Sequence, residues 1–184
     1  MSFGKEKEKE LVEKAKKDPE AFSLLYEKYY SQIFGYILKR TANIEDTKDI
    51  TSNTFIKALK NLWTFKWKGI SFSSWLYRIA SNEIVNFYRK RRRLVPLEKI
   101  SEPPSFTTPL EEITKAQREL EKYKEFLELH EKISKLPPKY QEVIVLRFFE
   151  KKKIKEICEI LGKKEGTVKS LLHRAIKKLR NFYK

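Results

Sequence analysis

Residues 154–172 read IKEICEILGKKEGTVKSLL. Ile154, Ile157, Ile160 and Leu161 recur at the spacing of one helix face, and Gly162 stands where a short helix would end in a left-handed cap. A tight turn then leads to a second helix opened near Thr167, the spacing of a helix–turn–helix. With Val168 set at zero and about 100° per residue, Leu172, Ala175 and Leu179 fall within about 40° of it. Thr167, Lys169, Ser170, His173, Arg174 and Lys177 are left on the outer side. A helix whose outward face holds only hydrogen-bond donors and cations suits a DNA major groove lined with phosphates. A solvated face on a small bundle would not need the sharp turn as well. Cys158, between Ile157 and Ile160, reads as a small buried hydrophobe.

The rest of the chain also reads as helix, because apolar residues recur at three and four. Asp18-Pro19-Glu20 opens a long helix with the stripe Phe22, Leu25, Tyr26, Tyr29, Ile33, Phe34, Ile37 and Leu38. A shorter amphipathic piece at 11–17 precedes it. Another helix starts near 43–46 and carries Ile50, Phe55, Ala58, Leu59 and Leu62. After the aromatic break Trp63-Thr-Phe-Lys-Trp-Lys-Gly69, a further helix opens near Ser73 or Ser74 and runs into the basic stretch 89–93. On it, Asn82, Asn86, Arg89 and Arg93 share one face at i, i+4, i+7 and i+11. Carboxamides and guanidiniums in a stripe can bond base edges and phosphates. Lys66, Trp67 and Lys68 add an aromatic between two cations, a pattern suited to unpaired bases. Phe72 and Trp75 read as core, and Trp67 as the ring less committed to it.

Composition sets the limits. The 184 residues carry a formal charge of +16, with 40% hydrophobic and 36% charged residues, enough apolar material for a core. Residues 1–97 hold 20 basic and 11 acidic side chains, 98–136 hold 7 and 9, and 137–184 hold 14 and 5. Two basic ends flanking a slightly acidic middle suggest two polyanion-binding modules. Three prolines in 101–109 mark a flexible linker there, and Pro137-Pro138 ends a helix expected over 110–136. One cysteine excludes an internal disulfide and, with two histidines, argues against a metal centre or a catalytic triad. No cofactor is implied. The opening MSFGKEKEKE has no apolar h-region and no run reaches the roughly 20 residues of a membrane span, so a soluble, cytoplasmic chain without membrane insertion is expected.

Taken together, these segments resemble the bacterial sigma-70 family, in its small two-domain extracytoplasmic-function group. Residues 9–38 look like the opening helices of region 2. Residues 46–55 are similar to the segment that binds the clamp coiled coil of core RNA polymerase, which implies Asp46, Asp49, Ile50 and Phe55 as polymerase contacts. Residues 72–82 resemble the strand-opening segment, and 82–93 the helix that reads the minus-ten element. Residues 136–147 and 156–175 look like region 4, which reads the minus-thirty-five element. The resemblance implies an all-α fold with region 2 at 1–96, a linker at 97–118 and region 4 at 119–184. It further implies promoter-specific initiation without catalysis, promoter DNA and core polymerase as partners, and an anti-sigma protein as inhibitor.

The chain departs from the family pattern at four places. Ser52-Asn53 stand where Gln-Glu is usual, and Asn86 where an acid is usual. Leu171 and Ile176 replace arginines in the recognition helix, at positions bordering its core face, where they thicken packing and remove cationic contacts. The rival reading is a stand-alone helix–turn–helix regulator acting on palindromic operators without polymerase. A recombinase-like enzyme lacks a nucleophile and carboxylate cluster here.

Overall fold

The computed structural model describes residues 3–67, 69–94 and 128–182, all of its regular structure helical. The linker expected at 97–118, Lys68 and the side chain of Arg93 lie outside the described residues. Four helices make the first set: α1 (Phe3–Ala15), α2 (Pro19–Thr41), α3 (Ile44–Asn61) and α4 (Phe72–Leu94). The second set comprises α5 (128–134), α6 (Pro138–Ile144), α7 (Ile154–Leu161) and α8 (Glu165–Arg180).

Local chemistry sets the helix ends. Asp18 Oδ1 accepts the Glu20 amide at 2.9 Å with Pro19 in the first helical position, and Asn43 Oδ1 accepts the Asp46 amide at 2.8 Å. Each cap is worth about 1 kcal/mol. Ser71 Oγ accepts the Ser74 amide at 3.0 Å, so α4 starts one or two residues before the position expected from sequence. In the second set, α6 passes into a π-helical turn, Val145–Phe149. The Lys153 amide donates to Glu156 at 2.8 Å to open α7. Gly162, at φ 62°, closes α7 in the left-handed region, where a side chain would cost roughly 1–2 kcal/mol.

The first set buries Val12, Leu25, Ile33, Tyr36, Ile37, Ile50, Phe72, Leu76 and Ile84, and the second buries Val143, Leu146, Ile157, Val168, Leu172 and Ala175. The predicted stripes fail at several positions, among them Leu59 of α3, which is 43% exposed. Tyr36 is fully buried although it lies off the α2 stripe, and Tyr26 on the stripe is 40% exposed. Tyr36 turns toward α4, its ring 5.1 Å from that of Tyr77, whereas Tyr26 lies against the flank of Phe55.

The two sets touch, a contact that no periodicity along the chain encodes. Helix α4 packs on α7, and α2 meets the π-helical turn. Lys39 pairs with Glu150 at 2.8 Å, and Arg78 of α4 donates through Nε to the Ile160 carbonyl at 3.1 Å.

Candidate nucleic-acid interface

Helix α8 presents the face expected of it. Val168, Leu172 and Ala175 are buried, while Thr167, Lys169, His173, Arg174 and Lys177 are exposed and Ser170 is half-buried. Lys169 is held by Glu165 at 2.6 Å, one turn back along the helix. Leu171 and Ile176 pack against the core as partly buried residues, in keeping with their place on the wheel. Cys158 is half-buried against the same core, and burial raises its thiol above the usual range, so it is not an activated nucleophile.

A second surface lies on α4. Asn82 and Arg89 are exposed and Asn86 half-exposed. Arg89 Nη2 donates to Asn86 Oδ1 at 3.0 Å, and Asn86 Nδ2 to Glu83 at 3.3 Å. Glu83 in turn takes the Lys57 ammonium at 2.6 Å, which neutralises the one carboxylate in this row. Beside the row runs a groove of about 380 Å³ between α3 and α4. Lys57, Asn61 and Thr64 form one wall. Trp75, Arg78 and Ile79 form the other, continued by Asn82 and Asn86. The sequence pattern points to the two asparagines but not to Lys57 and Asn61. Lys57, Asn61 and Thr64 recur at i, i+4 and i+7, a pattern that was present, but only the packing of α3 on α4 sets that face opposite the asparagines.

The aromatic expectation needs correction. Trp67 is half-buried, its ring 5.2 Å from that of Phe65, and it does not line the groove; its Nε1 is buried without a hydrogen-bond partner. Trp75 is also half-buried, so the two rings are similarly committed to the core. The exposed ring is Trp63, at 74%, next to Thr64 at the groove's end. Lys66 is exposed as expected.

The α3 surface also differs in detail. Ile50 and Phe55 are buried at 1% and 4% exposure, so they hold the helix in the fold and cannot meet a partner. Ile56 and Leu59, with Ile44 at the helix start, are the apolar side chains that face outward on α3. Asp49, Ser52 and Asn53 are exposed one and two turns before Ile56 and Leu59. Asp46 is bound to Arg91 at 2.8 Å, which ties the start of α3 to the basic end of α4. Among the described residues no group of His, Cys, Asp and Glu could hold a metal ion, and no helix is long and apolar enough to cross a membrane.

Residues 25–94 match the family model described as Sigma-70 region 2, and residues 126–179 the one described as Sigma-70, region 4. The chain is 33% identical to the ECF RNA polymerase sigma factor SigW of Bacillus subtilis, over 94% of each chain. It is 29% identical to the ECF RNA polymerase sigma factor BldN of Streptomyces coelicolor, spanning 63% of that protein's length. The fold is similar to that of the sigma factor RpoE of Bartonella quintana, solved in complex with the anti-sigma factor NepR. That likeness has a TM-score of 0.65 at 19% identity and covers 87% of this chain and 94% of the other.

Proposed function

Because the chain belongs to the sigma-70 family, in its extracytoplasmic-function group, we propose a division of labour for its two surfaces in promoter-specific initiation by RNA polymerase. The α8 face reads duplex DNA at the minus-thirty-five element. Ser170 and His173 sit mid-face to meet base edges, and Lys169, Arg174 and Lys177 flank them to meet phosphates. The groove beside Asn82 and Asn86 takes bases of the minus-ten element as the strands part, with Arg89 and Arg93 on the backbone. Capturing an unpaired base on an aromatic wall such as Trp75 contributes roughly 1–3 kcal/mol, so a few bases offset local melting. The protein does this without chemistry of its own.

On α3, the exposed strip of Asp49, Ser52, Asn53 and Ile56 is the surface for the polymerase clamp. The boundaries of the two modules at 1–96 and 119–184 belong to the same proposal, as does an anti-sigma inhibitor of the kind named for the RpoE relative. The observation that carries the reading is the groove: a polar-rimmed cleft with an aromatic wall on the helix expected to read the minus-ten element. A stand-alone regulator gives that cleft no task. Mixing the chain with core RNA polymerase and following co-elution tests the difference, since a stand-alone regulator elutes apart from the enzyme.

A further inference from the structure

Glu83 is the one carboxylate among the residues that line the groove, and a carboxylate repels the phosphates of any strand that enters. Its side chain is only 11% exposed, so the groove holds it out of solvent. Two donors fix it, and both take the same oxygen. Lys57 Nζ at 2.6 Å and Asn86 Nδ2 at 3.3 Å bond to Glu83 Oε1. Arg89 donates to Asn86 Oδ1 at 3.0 Å, which sets the direction of that carboxamide. Among the described residues, Glu83 Oε2 receives no hydrogen bond.

An ionised carboxylate accepts hydrogen bonds and donates none, whereas an ammonium has three protons to give. Lys57 spends one of its protons on Glu83, so the groove offers an open acceptor beside a charged donor. Cytosine and adenine carry the converse on the edge that pairing normally hides, an exocyclic amine next to an accepting ring nitrogen. Guanine carries an amine there too. Thymine has none, and its single edge donor, N3–H, lies between two carbonyl oxygens that a carboxylate repels. Trp75 and Ile79 give the ring of any base an apolar wall, and every base has a face to lay on it, so those contacts do not discriminate.

We propose that Glu83 selects the base in the groove: its open oxygen takes the exocyclic amine of an unpaired cytosine, adenine or guanine, and thymine is turned away. The inference rests on the groove being the single-strand site. Lys57 is then a positioning residue, which neutralises the carboxylate against the strand's phosphates and holds one of its oxygens aside. Carboxylates read the cytosine amine in the same way in duplex DNA, and a good contact to a base edge sets a preference of about tenfold.

The test uses the full-length chain, alone and with core polymerase, and short labelled thymidine strands of one length. At one central position the strands carry cytosine, 2-pyrimidinone (cytosine without its amine) or thymine. Fluorescence anisotropy reads the affinities, with core polymerase alone as the blank. Ratios between strands cancel the general gain in affinity that follows when a negative charge is removed. The native chain should bind the cytosine strand about tenfold more tightly than either of the others. Glu83→Gln should bring both ratios close to one. Lys57→Met should weaken binding to every strand and keep the preference, because the carboxylate remains. Should Glu83→Gln not fold, Glu83→Ala, with the residue of highest helix propensity, carries the same readout. Equal affinity of the native chain for all three strands, or a cytosine preference that survives loss of the Glu83 carboxylate, overturns the assignment. The groove then stands as the strand site if Asn82→Ala with Asn86→Ala weakens binding to every strand. If that double variant binds all strands as the native chain does, or if no form binds a strand even with core polymerase, the groove reading falls and the Glu83 assignment with it.

Discussion

Arg78 Nε lies 3.1 Å from the carbonyl oxygen of Ile160, so a groove-lining residue of one module closes the last turn of a helix in the other. Carbonyls at a helix end have no partner within the helix, and the guanidinium's rigid fork of five donors turns Nε and Nη2 toward two of them. Gly162, one residue past α7, lets the chain turn away directly beneath this contact, with its ideal Cβ position 3.8 Å from Arg78 Nη2. The end of α7 is therefore defined jointly by its own sequence and by α4.

The exposure pattern of α3 separates polymerase contacts from core. Asp49→Arg reverses an exposed charge and should weaken association with core polymerase at least severalfold without changing the melting temperature. Ile56→Asp should do the same. Ile50→Ala, at a fully buried position, should instead destabilise the fold by about 2–5 kcal/mol. Co-elution with core enzyme beside thermal melting distinguishes the two classes, and equal loss of binding at matched stability from all three would contradict the assignment.

On α8, Arg174→Ala and Lys177→Ala should each lower the salt dependence of duplex binding by about one unit of slope, the mark of a lost phosphate contact. Changes at Ser170 or His173 should shift base preference and leave the slope nearly intact. Binding selections across randomised upstream duplexes, repeated at several salt concentrations, read both quantities.

The tryptophans should divide by burial. Trp67→Ala removes a ring packed on Phe65 and should lower the melting temperature. Trp63→Ala, at a ring 74% exposed, should leave stability unchanged. If the Trp63 ring takes part in holding the opened strand, its loss lowers permanganate reactivity of minus-ten thymines in the holoenzyme. A drop in reactivity with Trp67→Ala at unchanged stability would reverse this order.

Alkaline stability follows from the buried tyrosines. Burial pushes the Tyr36 hydroxyl up to about 12, and Tyr29 and Tyr77 are shifted the same way. An unfolded tyrosine ionises near about 10. The folded state therefore holds its proton more tightly, and the associated stability is complete below pH about 10 and lost as pH rises towards about 12. Melting temperatures across that range should fall steeply, and phenolate absorbance should rise in two phases. A single phase from all nine tyrosines in the folded protein would contradict the burial.

Much of this was legible in the chain itself. The stripe Val168, Leu172 and Ala175 and the Gly162 turn gave α7 and α8 with their outward face, because a short helical motif is specified by local periodicity and caps. Asn82, Asn86 and Arg89 were likewise found by spacing along one helix. Periodicity failed where packing between helices decides. Ile50 and Phe55 matched the family's polymerase segment, yet apolar residues on an amphipathic helix point first to its own core. Trp67 and Trp63 sit in an aromatic break without periodicity, so nothing local chose which ring would turn inward. The contact of Arg78 with α7 joins residues more than eighty positions apart, and no pattern along the chain encodes it.

The chain gives core RNA polymerase its promoter specificity and helps open the strands. The most direct test of this role is permanganate footprinting of a promoter selected from genomic fragments by the reconstituted holoenzyme. Thymines in the downstream element should become reactive only when core and the chain are both present, and should lose that reactivity in the double variant Asn82→Ala, Asn86→Ala. Reactivity with core enzyme alone, or a chain that protects a palindromic site unaided and leaves every thymine unreactive with core present, would contradict that role.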